Sequence, residues 1–118
     1  MNLYSIIKDK SKEFKDTCKQ HSVKKLYAFG SSITNSFDKN TSDIDLVVDL
    51  SIKDPIEEYG EALLSFWDSL EAIFGRRVDL LTEDSINNAY LRKSIEASKQ
   101  LIYDGQGEAR GLKLNKTV

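Results

Sequence analysis

The sequence predicts an α+β fold, a small mixed β-sheet with helices packed on one face. Three observations predict it. Residues Asp43 to Leu50 (DIDLVVDL) alternate cleanly between apolar and other side chains, which marks a strand. Apolar residues then recur at helical spacing from Ile56 to Phe74, between Pro55 and Gly75. A second alternating segment, Arg77 to Leu81 (RVDLL), follows at once. Strands interleaved with helices suit a layered α+β domain.

The elements follow in chain order. Residues 2–20 carry Leu3, Ile6, Ile7, Phe14 and Cys18 on one stripe, which predicts an amphipathic helix. Lys24 to Phe29 (KKLYAF) reads as a short strand stopped by Gly30. Residues 31–42 are rich in Ser, Asn, Thr and Asp and read as a loop. In the strand that follows, Ile44, Leu46, Val48 and Leu50 face one way. Asp43, Asp45, Val47 and Asp49 face the other. Asp54 is expected to cap the next helix, with Pro55 at its first position and Glu57 closing a capping box. Ile56, Tyr59, Leu63, Trp67, Leu70 and Phe74 form its apolar stripe, with Phe66 off that stripe, and Gly75 ends it. In the third strand Val78 and Leu80 oppose Asp79. Ser85 or Asp84 is expected to cap a helix running to about Ser98. Gln100 to Tyr103 reads as a last strand, and residues 105–118 as a flexible tail beyond a domain spanning 1–104. The expected order is α-β-β-α-β-α-β.

Composition narrows the function classes. A chain of 118 residues has room for one hydrophobic core. It contains no apolar run long enough to span a membrane. The segment MNLYSIIKDKSKEFKD turns charged too early for a signal peptide. A single cysteine rules out an internal disulfide and suits a reducing compartment, so the expected location is cytoplasmic. A net charge of −2 counts against duplex nucleic acid as the main partner. It leaves room for a nucleotide, because metal ions can supply positive charge.

The chemistry concentrates in Gly30-Ser31-Ser32, Asp43-Ile44-Asp45 and Asp79. Residues i and i+2 of a strand project to the same side, so Asp43 and Asp45 point together, away from the core. Adjacent carboxylates repel unless a cation lies between them. Magnesium favours one or two carboxylates together with phosphate oxygens and water. With Asp79 on a neighbouring strand, three acids would surround one space. Such a space suits two Mg2+ ions about 3.5–4 Å apart, the arrangement that serves nucleotidyl transfer. Gly30 lets backbone approach a phosphate, and Ser31 adds a hydroxyl. An Asp-x-Asp pair alone is also an ordinary polar strand face; the conjunction with the Gly-Ser turn and the later Asp79 is what distinguishes this one.

Other residues read more plainly. Arg76 and Arg77 enter the third strand. If Asp79 faces the site, alternation puts Arg77 there too, within reach of phosphate. Lys39 is a weaker candidate of the same kind. His21 reads as a helix-end residue favourable to the dipole, and Cys18 as core. Phe66 reads as core, or as part of a partner surface. Asp38 and Asp49 read as surface charges.

These residues resemble the polymerase-beta-like nucleotidyltransferase superfamily, and within it the minimal nucleotidyltransferases. The likeness rests on FGSSITNSFDKNTSDIDLVV followed by GRRVDLL, and covers about residues 24–103. It implies that Gly30 and Ser31 bind the phosphates of ATP; Ser32, next in the turn, and Arg77, by strand alternation, are further nucleotide-side candidates read from the residues themselves. It implies metal ligation by Asp43, Asp45 and Asp79, with Asp79 also helping to activate the acceptor hydroxyl. The chain departs from the family pattern in three places. The loop between Ser31 and Asp43 holds one residue more than the commonest spacing, Ser32 stands where Arg is frequent, and Asn35 stands where Gly is frequent.

Many members of this branch resemble antitoxins paired with a helical HEPN-domain toxin. The expected function is therefore Mg-dependent transfer of AMP from ATP to a hydroxyl of such a toxin, in particular a tyrosine. Two alternatives stand beside it: a non-catalytic module that neutralises a partner by contact, and an adenylyltransferase acting on a small molecule. Three converging acids favour an enzyme over a pure binder. The chain is too short to supply a second wall to the cleft, so a homodimer or a partner protein is expected to complete it.

Overall fold

The computed structural model describes residues 3–30 and 43–105; Ser31, Ser32, Asn35, Asp38, Lys39 and the expected tail beyond Gly105 lie outside the described residues. The elements are α1 (Leu3–Asp9), α2 (Ser11–Gln20), β1 (Val23–Phe29), β2 (Ile44–Leu50), α3 (Ile56–Phe74), β3 (Val78–Thr82), a 3-10 turn (Glu83–Ser85), α4 (Ala89–Ser98) and β4 (Gln100–Asp104). The fold class is the α+β arrangement expected, except that one helix, α4, packs on the face of the sheet opposite the other three.

The four strands form one mixed sheet in the order β3-β2-β1-β4. β1 pairs antiparallel with both β2 and β4, whereas β2 and β3 run parallel. Parallel neighbours need a crossover, and α3 supplies it. The register sets Phe29 opposite Asp45 and Asp45 opposite Asp79. One row across three strands therefore carries both acids.

The main core lies on one face of the sheet. Ile44, Leu46, Val48 and Leu50 of β2 are buried with Leu26 and Ala28 of β1 and Val78 and Leu80 of β3. Helices α1, α2 and α3 cover them with Leu3, Phe14, Cys18, Phe66, Leu70 and Phe74. Burial pushes the Cys18 thiol up to about 12, which leaves it an inert packing group. A smaller cluster occupies the opposite face. There Val47 packs with Ile86 and Ile95 of α4, edged by Tyr27, Phe29 and Leu81.

Four local expectations need correction. The N-terminal helix is two helices, broken by a turn at Lys10 (φ −120°, ψ 32°). Between Ile7 and Phe14 every residue is polar, so no apolar contact holds a straight helix there. Asp54 does not cap α3. Pro55 occupies the cap position in extended conformation, and no side chain bonds the first turn. α4 is capped by Asn88, whose Oδ1 accepts from the N–H groups of Tyr90 (2.8 Å) and Leu91 (3.2 Å). Ser85 is instead spent in a reciprocal box with Thr82 that closes the 3-10 turn.

The fourth concerns the apolar stripe of α3. It centres on Phe66, fully buried, while Ile56 is 67% exposed. Trp67 is half-buried, and its indole N–H donates to the Val78 carbonyl at 2.7 Å. That bond ties α3 to the start of β3. Gly75 ends the helix as expected, with φ +68° and its N–H donating to Glu71 O at 2.8 Å.

The shifted stripe has a measurable consequence. Phe66→Ala is expected to cost about 3–5 kcal/mol of stability by leaving a core cavity. Ile56→Ala, at an exposed site, is expected to stay within about 0.5 kcal/mol. Urea denaturation of the two variants checks the ranking.

Candidate active site

The site is assembled where β1 ends and β2 and β3 begin. Asp43 stands immediately before β2, its position held because Ile44 N–H donates to Arg77 O at 3.1 Å. Asp45 lies one pleat further along and faces Asp79 across the parallel pair. Asp43 and Asp45 are half-buried; Asp79 is exposed. Ile44, Leu46, Val78 and Leu80 turn into the core, so alternation drives the acids to the other face.

Gly30 follows Phe29 at the end of β1 with φ +67°, the left-handed region that side chains rarely adopt. A Cβ there would lie 2.8 Å from Asp45 Oδ2. Glycine thus does two things at this position. It turns the chain, and it lets the Asp45 carboxylate pack against the backbone where a side chain would collide with it.

The electrostatics register the convergence. The Asp45 carboxyl is raised from 3.8 to about 6. Loss of solvent is the largest cause, followed by the charges of Asp79 and Asp43 and a hydrogen bond shared with Asp79. Two separate chain segments therefore act on one group, as the spacing anticipated.

Among the described residues, no three His, Cys, Asp or Glu side chains are already drawn together tightly enough to enclose a metal ion. The donor set nonetheless fits a hard divalent cation. It consists of carboxylates alone, one of them held at a raised pKa by partial burial and then by its like-charged neighbours, with the Gly30 backbone packed beside it. Arg77 is exposed two residues before Asp79, and alternation assigns it to the same face. Arg76 is half-buried.

Sequence reasoning overlooked what holds the apolar half of this face. Val47 and Leu81 lie two residues beyond Asp45 and Asp79 on their strands, and Val47 is fully buried under α4. The Lys99 ammonium sits 4.1 Å from the centre of the Tyr27 ring and bridges to Glu96 (3.1 Å) and Glu83 (3.9 Å). Arg92 donates to the carbonyls of Glu83 (2.8 Å) and Ile86 (3.0 Å). These contacts lock the β3–α4 connection against the acid-bearing face. The signal was present in the repeated acid-x-aliphatic pattern, Asp45-x-Val47 and Asp79-x-Leu81, which makes the face half polar and half apolar.

Comparisons with known proteins bear on the family and the fold. A family model described as "Nucleotidyltransferase domain" matches residues 11–102. A Methanocaldococcus jannaschii chain named "Putative protein adenylyltransferase" is 36% identical over 104 residues, covering 87% of this chain and 99% of that one. Among solved structures, a toxin-antitoxin complex with AMP-PNP contains a chain similar at TM-score 0.59 and 21% identity, covering 90% of this chain and 82% of that one. A complex of a tri-AMPylated Shewanella oneidensis HEPN toxin with an MNT antitoxin is similar at TM-score 0.53 and 21% identity, covering 98% of this chain and 82% of that one. At such identity the solved structures establish the shared fold.

Two predictions follow from the geometry of Asp45. Its folded pKa lies above the unfolded value, so the native state binds the extra proton between about pH 4 and 6. Native stability therefore falls as pH rises through that window. Asp45→Asn removes the penalty. In metal-free buffer it is expected to be more stable than wild type at pH 7–8, with the gain vanishing near pH 4; thermal melts across pH measure this. Gly30→Ala is expected to destabilise by about 1–2 kcal/mol from its left-handed backbone alone, with a further loss from the clash at Asp45. A double-mutant cycle with Asp45→Ala should relieve only the second part.

Proposed function

The chain belongs to the nucleotidyltransferase domain family, and from that premise we propose that it transfers AMP from ATP to a hydroxyl of a partner protein. The observation that carries this reading is the row in which Asp45 faces Asp79 while the Gly30 turn brings backbone directly against the Asp45 carboxylate. A pure binding module has no use for carboxylates held together at an electrostatic cost.

In this reading Asp43, Asp45 and Asp79 would hold Mg2+. When bound, the metal supplies positive charge to a triphosphate and lowers the pKa of an attacking hydroxyl. The chain's own residues do the rest. The Gly30 turn admits phosphate close to the backbone, with Ser31 and Ser32 next in sequence as hydroxyl and N–H donors. Arg77 reaches the same face as a donor fork for phosphate oxygens. Asp79, the most exposed acid of the row, would meet the acceptor hydroxyl as it arrives from solvent.

The proposed acceptor is a tyrosine of a HEPN-type toxin, with this chain as its antitoxin. Support comes from the named relative and from the fold shared with chains of toxin-antitoxin complexes. A partner of that kind would also supply a second wall facing the acid row.

The test is transfer of label from α-phosphate-labelled ATP to a co-expressed partner. Wild type is expected to label it, and Asp43→Asn or Asp45→Asn to slow labelling by about 10²–10³-fold, the cost of removing a group that stabilises developing charge. Label that persists undiminished in the double variant would overturn the site. Neutralisation of the partner with no label in wild type would point to inhibition by contact.

A further inference from the structure

A second set of reactive groups lies outside the acid row. His21 caps α2, and its Nδ1 lies 2.7 Å from the Thr17 carbonyl. A carbonyl oxygen only accepts, so Nδ1 carries the hydrogen. In the neutral ring Nε2 is then an acceptor, and Ser65 Oγ lies 2.9 Å from it. The ring is further held by Phe66, with centroids 5.4 Å apart, and Thr17 Oγ1 lies 3.3 Å from Nδ1. A hydroxyl hydrogen-bonded to a ring nitrogen whose other nitrogen is oriented by a third group is the geometry of an activated oxygen nucleophile.

Ser65 is exposed on α3. An open pocket of about 170 Å3 lies beside the His21 ring, lined also by Gln20, Ser22, Ile52, Glu58, Tyr59 and Ala62.

We propose that Ser65 is itself an acceptor hydroxyl for adenylyl transfer, with His21 as its general base and a second copy of the chain as the donor of AMP. This rests on the activity proposed above. Delivery within one molecule is ruled out by the fold, because α3 packs on the core face of the sheet and the acid row lies on the other. In the step, Ser65 Oγ attacks the α-phosphorus of ATP held by the second copy. An O–P bond forms, the bond from the α-phosphorus to the bridging oxygen breaks, and pyrophosphate leaves. The Ser65 proton passes to His21 Nε2 and then to solvent.

The experiment incubates purified protein with Mg2+ and α-phosphate-labelled ATP, alone and with the partner protein, and maps the label by peptide. Label is expected on the peptide carrying Ser65, at a rate per molecule that rises with protein concentration. Ser65→Ala should abolish it, and His21→Gln should slow it by about 10²-fold or more, the usual worth of a positioned base. A tagged Asp45→Asn chain mixed with wild type should become labelled, since it needs only to accept. Partner label without Ser65 label, or label unchanged in Ser65→Ala, overturns this inference and leaves the proposed function standing. Absence of label on both partner and chain overturns both.

Discussion

The parallel pairing of β2 with β3 is the constraint on which the site depends. It brings Asp45 and Asp79 face to face, although 33 residues separate them in the chain. Left to electrostatics, these carboxylates would move apart. They are held because the alternate residues, Ile44, Leu46, Val48, Val78 and Leu80, are buried under α1, α2 and α3. Each such side chain contributes about 1.5–3 kcal/mol on burial. The strain recorded in the raised Asp45 pKa amounts to about 1–2 kcal/mol once solvent screening at a half-exposed group is allowed for. Burial wins, and the same strands that form the core carry the charge cluster on their backs.

The second face of the sheet repeats this economy at smaller scale. Only Val47 of β2 is fully buried there, yet α4 is fastened over it by directional contacts. Lys99 spans Tyr27, Glu83 and Glu96, and Arg92 grips two carbonyls of the connection from β3. A small apolar cluster with polar anchors leaves the adjoining acid row open to solvent. A larger core on this side would have covered it.

Much of this was legible in the residues. Alternation in DIDLVVDL and RVDLL assigned the acids to one side, because a strand's period of two leaves no other choice once one face is apolar. Gly30 and Gly75 were legible because the chain turns at each of them through a left-handed conformation that favours glycine. The errors have a common cause. Asp54, Ser85 and Asp84 all have suitable side chains for capping, but capping depends on where the backbone turns, and Asn88 stands at the actual turn into α4. The burial of Phe66 likewise depended on how α3 is rotated against the sheet.

The sequence by itself determined the fold class, the family and the identity of the acids, because each rests on local periodicity and short motif spacing. Tertiary structure alone decided that Asp45 lies opposite Asp79, that Gly30 packs against an Asp45 oxygen, and that His21 meets Ser65. Those relations join residues far apart in the chain. They are fixed by strand register and helix docking, which come from the summed packing of the core and have no signature in any single stretch of residues.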